Sequence, residues 1–248
     1  MLTKICLKRF KKLKGKILAT KTISTAATGT PKHALWLCEH ETPPPVFYLY
    51  GDEPYKISEF IEKALSLINK NQGSSRTHQN DSMSIQKLDG FNVTGSEVLD
   101  SLQSMSLFDL SGDKSSSQVV IVRAAGQIKD IEPLFNALEN RQTTGSILFL
   151  IGETLDSRRK FHQWLKKTGY ALEFRRARDS ELVQWAHYLA SKREITLAPE
   201  AATTLSLYCD DSLYQLNQEV EKVFVFSGAK PGICIQNEVV LTVMAKTG

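Results

Sequence analysis

A chain of 248 residues with 42% hydrophobic and 23% charged side chains holds enough apolar material for one large or two modest packed domains. Its apolar runs fall far short of the roughly 18 residues that span a bilayer. Cys6, Cys38, Cys209 and Cys234 form neither a C-x-x-C pair nor a regular framework, so a disulfide scaffold is excluded, and Cys38-Glu39-His40 is too little for a zinc site. The net charge of +4 is unevenly placed: residues 1–38 carry nine Lys or Arg and no acid, which leaves 22 basic against 27 acidic residues in the rest. By charge, only the tail is a nucleic-acid binder.

Residues 2–17 place Leu2, Ile5, Cys6, Phe10, Leu13 and Ile17 at helical spacings among lysines. Such a basic amphipathic segment suits an anionic membrane, a phosphate backbone, or docking on the folded body through its apolar stripe. Residues 20–45, rich in Thr, Ala and Pro and ending in Pro43-Pro44-Pro45, read as a linker. Residues 1–45 are therefore expected to be a basic segment plus a Pro-rich connection.

Val46 to Tyr50 is an apolar run fit for a buried strand. Gly51 ends it, and Asp52 and Pro54 favour a turn. From there Ile57, Phe60, Ile61, Ala64, Leu65 and Ile68 recur at helical spacing. Strand, glycine turn and helix are the setting of a phosphate loop, G-x-x-x-x-G-K-[ST]. In that register Gly51 is followed by Lys56 where the second glycine belongs, Ile57 where the lysine belongs, and Ser58 at the hydroxyl position. Asp52 and Glu53 add negative charge where phosphate would lie. The loop reads as degenerate and the expected cofactor is none, although many strand-turn-helix units never bound phosphate at all.

Asn69 to Ser84 is polar and reads as a loop; Ser84 to Leu88 alternates as a short strand does. Thr94 or Ser96 is a candidate cap for a helix bearing Val98, Leu99, Leu102 and Met105. Gln118–Arg123 and Ser146–Gly152 are two further buried strands, with a helix between them over 128–138. A charged helix over 156–167 packs through Phe161, Trp164 and Leu165, and Ala171 to Phe174 is another short strand. Strands alternating with helices imply a mostly parallel sheet covered on both faces. After about residue 178 only helices are expected, at 180–193, 199–208, 213–226 and 237–245. The fold class is thus α/β, with an α/β domain over 46–178 and a small all-helical domain over 179–248.

Several short stretches resemble one family in order and spacing: Tyr48-Leu-Tyr-Gly-Asp-Glu-Pro-Tyr55, Ser104-Met-Ser-Leu-Phe108 ahead of Val119 to Arg123, Asp156-Ser-Arg-Arg-Lys160, and Glu219-Val-Glu-Lys222. Together they make residues 46–245 similar to the delta subunits of bacterial DNA polymerase III, clamp-loader members of the AAA+ class. The resemblance implies an AAA+-like sheet with a helical lid, a cytoplasmic place in DNA replication, and membership of a polymerase holoenzyme without intrinsic ATPase activity. It implies the DNA sliding clamp and other loader subunits as partners, with DNA contacted indirectly or through the basic tail. Two departures stand out. Some 45 residues precede the first strand, and the chain stops where the family's helical collar begins, so weak assembly with other loader subunits is expected.

In that family a Leu-Phe pair at a helix end plugs an apolar pocket on the clamp. This carries over to Leu107 and Phe108, with Met105 and Ser106 beside them. The residues themselves allow two readings: Leu107 and Phe108 break the helical period just before the polar stretch 111–117, as an exposed anchor would, or they close the core. No G-x-S-x-G, H-E-x-x-H or intact phosphate loop is present, and the strands at 119–122 and 147–151 end without an acidic magnesium pair. Asp210-Asp211 reads as a solvated helix start, and His162 and His187 sit on helices without an evident partner. The competing functions are a degenerate nucleoside-triphosphatase and a nucleic-acid-binding protein that uses the basic tail.

Overall fold

The computed structural model describes residues 29–73, 84–104, 118–142, 145–178, 180–228 and 230–247. Five strands, β1 (Val46–Tyr50), β2 (Ser84–Asp89), β3 (Gln118–Arg123), β4 (Ile147–Gly152) and β5 (Ala171–Glu173), form one sheet in the order β2-β3-β4-β1-β5. Every pairing is parallel: Phe47 stands beside Phe149, Ile121 beside Phe149, and Leu49 beside Leu172. The central strands are apolar at nearly every position because helices cover both faces. Phe47, Leu49, Val119, Ile121, Ile147 and Phe149 point to one face, where they meet α1 (Pro31–His40) and α2 (Pro54–Gly73). Val46, Tyr48, Val120, Val122, Leu148 and Leu150 point to the other, against α3 (Gly95–Gln103), α4 (Glu132–Glu139) and α5 (Lys160–Thr168). The alternation within each strand follows from its two-residue period. β2, at the sheet edge, is largely exposed, as its polar sequence requires.

The rest of the described chain, α6 (Ser180–Ser191), α7 (Pro199–Leu207), α8 (Leu213–Ser227) and α9 (Asn237–Thr247), packs around a separate apolar cluster drawn from residues 177–244. Leu189, Leu205, Leu213 and Leu216 are completely buried there.

Several expectations change. Residues 31–40, read as linker, form α1: Thr30 accepts from the His33 amide, Pro31 occupies the first turn, and Ala34 and Cys38 are buried against α2. The helix expected from 128 begins only at Glu132, because Asp130 has a positive φ of 47° and Lys129 bridges to Thr94. The helix expected from 156 begins at Lys160; ahead of it the Asp156 carboxylate accepts from the Arg158 amide and holds a turn. The helical half is not helices alone, since Thr196–Leu197 (β6) pairs in parallel with Cys234–Ile235 (β7). Thr94 is the cap of α3, in a reciprocal box: Thr94 Oγ1 accepts from the Glu97 amide while Glu97 Oε2 accepts from the Thr94 amide at 2.7 Å. α3 ends at Gln103, and Met105 lies outside the described residues.

His162 also has a partner. It is buried, its Nδ1 accepts from the Asp156 amide at 2.8 Å, and its ring lies 4.9 Å from that of Tyr48. Burial lowers its pKa, with help from the Arg159 guanidinium. A histidine held below its ordinary value stabilises the fold fully above pH 6.5, and that contribution is lost as pH falls through the folded-state value. The expected result is a melting temperature that falls more steeply below pH 6.5 in the wild type than in His162→Gln, measured in parallel thermal melts. Superimposable pH profiles would contradict it.

Candidate functional site: the degenerate phosphate loop

Only three residues, Gly51, Asp52 and Glu53, join β1 to α2. That is too short to wrap a phosphate, and two of its three amides are already used. The Gly51 amide donates to the Glu153 carbonyl at 3.2 Å, and the Glu53 amide to the Phe174 carbonyl at 3.3 Å. Asp52 Oδ1 accepts from the Arg176 amide at 2.9 Å. Gly51 has φ of +128°, and a Cβ there would overlap the Phe174 backbone. The turn is therefore pressed onto the segment that follows β5, at a point only glycine fits.

The N-terminus of a helix attracts an anion. At α2 that anion is part of the chain. The Glu53 side chain is buried, the residue's own carbonyl accepts from the Ile57 amide at 3.3 Å as the first turn of α2 forms, and the backbone amides of Tyr55 and Ala177 favour its charged form. Burial pushes its pKa up, while those amides and the charges of Lys56 and Arg176 pull it back. A phosphate approaching the start of α2 would meet a carboxylate.

The remaining loop positions diverge in space. Lys56 turns away from the helix start. Its Nζ donates to the Arg175 carbonyl at 2.8 Å and pairs with Glu181 of α6 at 2.5 Å. Ile57 is buried in the sheet core, and Ser58 is exposed on α2. Gly51, Lys56, Ile57 and Ser58 are thus not brought together around one ligand. Of the four, Lys56 reaches the helical unit, through Glu181.

That junction has further members. Glu59 is nearly buried and accepts from Tyr188 Oη at 2.8 Å, Lys192 Nζ at 2.7 Å and Tyr55 Oη at 3.3 Å. Burial and the Glu59 carboxylate push the Tyr188 phenol up to about 12. Tyr55 meets Trp185 edge to face at 6.1 Å. Beside this network a groove of about 710 Å³ runs past Leu35, Phe60, Trp185 and Tyr188. Sequence reasoning missed these contacts because the partners lie well over 100 positions apart. The one visible trace was Glu59 itself, an acid within the apolar stripe of α2.

Among the described residues no group of three or more His, Cys, Asp or Glu is placed to hold a metal, and no helix is long and apolar enough to cross a membrane. Asp210 and Asp211 are exposed in a left-handed turn whose next residue, Ser212, caps α8. The expected clamp contacts Met105, Ser106, Leu107 and Phe108 lie outside the described residues.

No family model matches the chain. A curated relative, DNA polymerase III subunit delta of Bacillus subtilis, is 24% identical over 204 residues, 78% of this chain. The chain spans about half, 55%, of that relative's length. Among solved structures, the Bacillus subtilis DNA clamp loader delta protein superposes with a TM-score of 0.59 at 19% identity, covering 86% of this chain and 60% of the other. Thermotoga maritima RuvB gives 0.53 at 17% identity over 87% of this chain and 66% of the other. Domain III of the Thermotoga maritima replication initiation protein DnaA gives 0.52 at 11% identity over 87% and 90%. These likenesses fix the fold, and the chain is an AAA+-like α/β protein similar in sequence to the delta subunit of DNA polymerase III.

Proposed function

We propose that this chain is a non-catalytic clamp-loader subunit that binds the DNA sliding clamp and helps open it during replication. The observation that carries the proposal is its 204-residue similarity to a polymerase III delta subunit. Leu107 and Phe108, flanked by Met105 and Ser106, are the proposed plug for an apolar clamp pocket. Residues 46–178 act as the AAA+-like domain and 179–248 as the helical lid, a division supported by the separate apolar cluster of residues 177–244. Other loader subunits and DNA are the further partners, and the cytoplasm is the proposed location. Immobilised chain is expected to retain purified sliding clamp; failure to retain it contradicts the proposal.

The loop geometry favours this over a nucleoside-triphosphatase, because Glu53 occupies the helix terminus and Lys56 serves the lid junction. Titration with ATP is expected to give no saturable signal. Lys56→Ala is expected to cost ~1–2 kcal/mol of stability, read in denaturant unfolding, by stripping charge-assisted bonds from Glu181 and the Arg175 carbonyl. Saturable ATP binding that disappears in Lys56→Ala or Ser58→Ala would establish the nucleotide reading instead.

A further inference from the structure

The groove beside the junction of sheet and helical unit holds about 710 Å³ and opens to solvent. Its apolar wall comes from four elements: Leu35 of α1, Phe60 of α2, Phe174 just beyond β5, and Trp185 and Tyr188 of α6. Phe60 and Phe174 are buried with ring centroids 5.5 Å apart, and Trp185 meets Tyr188 edge to face at 5.1 Å. The rings hold one another in place, so the wall is preformed. A concave apolar surface between two packed units of one chain is a usual place for a ligand.

Most of the polar groups lining it are already engaged. Each of its three acids has a cation: Glu59 has Lys192 at 2.7 Å, Glu173 has Arg175 at 3.0 Å, and Glu181 has Lys56. Lys192 also lies 3.7 Å from Glu62, the acid next to Lys63 in the chain. The Tyr188 hydroxyl donates to Glu59. Three lining groups have no ion pair or hydrogen bond among the described residues: the Lys63 ammonium, the Gln184 amide and the Trp185 indole N–H. An indole N–H on a partly buried ring ordinarily finds an acceptor. All three groups are donors, and no lining carboxylate is free to meet them. The complementary group is an anionic acceptor attached to something apolar enough to cover the rings. A cationic segment would meet Lys63 with no acid to receive it, and a wholly apolar one would cover the donors unpaired. A small molecule that must bury most of its surface needs a closed pocket, whereas an open groove takes a stretch of chain that enters and leaves.

We infer that this groove is the docking site for a segment of a partner protein in which a carboxylate stands beside an aromatic side chain. Lys63, Gln184 and Trp185 receive the carboxylate, and the wall of Phe60, Phe174 and Tyr188 receives the ring. The groove shares no residue with the proposed clamp plug, so loss of one kind of binding with the other intact separates the two proposals.

The test titrates the full, isotope-labelled chain with a synthetic peptide that carries aspartates and phenylalanines among glycines and serines, followed by two-dimensional NMR. The chain's three tryptophans each give an indole N–H signal. That of Trp185 is assigned by its loss in Trp185→Phe. The expected result is a saturable shift of the Trp185 signal, while that of Trp164, packed on the opposite face of the sheet, stays in place. Lys63→Ala is expected to weaken binding roughly tenfold, as the loss of a charge-assisted hydrogen bond does, and Gln184→Ala several-fold. Exchanging the peptide's aspartates for lysines, or its phenylalanines for alanines, is expected to abolish the shift. Thermal melts of Lys63→Ala and Gln184→Ala should match the wild type, since both side chains are exposed. A Trp185 signal that stays in place at millimolar peptide would overturn the inference. So would an equal shift with the lysine peptide, or equal affinity of wild type, Lys63→Ala and Gln184→Ala. Phenylacetate binding as tightly as the peptide would overturn it in favour of a small-molecule site.

Discussion

Replacing Leu107 and Phe108 together by alanine is expected to weaken sliding-clamp binding by well over roughly tenfold while leaving the melting temperature within a degree or two of the wild type. The reasoning rests on the proposed plug. Truncating a hot-spot side chain typically costs at least about 2 kcal/mol, non-additively for neighbours, and about 1.4 kcal/mol is a factor of ten. Side chains that project into a partner's pocket contribute little to the free chain's core. If the pair instead closes the core, the same double change removes buried apolar volume, which costs about 2–5 kcal/mol for one leucine alone. The two arrangements give opposite pairs of results. Thermal melting and clamp titration on one sample separate them, and a sharply lowered melting temperature with unchanged affinity per folded molecule would refute the plug.

Gly51→Ala is expected to be the most damaging single change at the loop. At φ of +128° an L-residue is strained, and its Cβ would overlap the backbone of Phe174 rather than a side chain that can move aside. Backbone strain of this type costs of order 1–3 kcal/mol and forced overpacking a similar amount, so a loss of about 3 kcal/mol or more follows. For a chain of this size that lowers the melting temperature by roughly 6–12 °C. The damage should extend beyond the turn. The Phe174 segment also holds the Glu53 amide, and the next residue's carbonyl holds Lys56. The sheet edge and the lid junction are therefore expected to loosen together, visible as faster amide exchange in α6 as well as in β5. A melting temperature within about 2 °C of the wild type would show that the turn relaxes at little cost.

The sheet was legible because parallel strands covered on both faces are uniformly apolar. Val46 to Tyr50, Gln118–Arg123 and Ile147–Gly152 stand out from sequence and fold as read. α1 was not legible, because its buried contacts, Ala34 and Cys38, are small and lie within a Thr- and Pro-rich stretch. Thr30-Pro31, a cap followed by a first-turn proline, was the available signal. The error at 128–131 has the opposite cause: Ile128 and Ile131 fit a helical stripe, but the left-handed Asp130 between them interrupts the helix. β6 and β7, two residues each, are too short for any periodicity to register. At the loop, sequence spacing revealed that Lys56 and Ile57 displace the phosphate-binding residues. It did not reveal that Glu53 is buried at the start of the helix or that Lys56 reaches Glu181, because those facts depend on where β5 and α6 pass.

The central claim is that this chain binds a sliding clamp. Isothermal titration of the full chain into purified clamp, without nucleotide, tests it most directly. The account predicts saturable binding with defined stoichiometry, unaffected by added ATP and abolished or strongly weakened by Leu107→Ala with Phe108→Ala. An absence of binding heat across the micromolar range, matched by no complex on gel filtration, would contradict it.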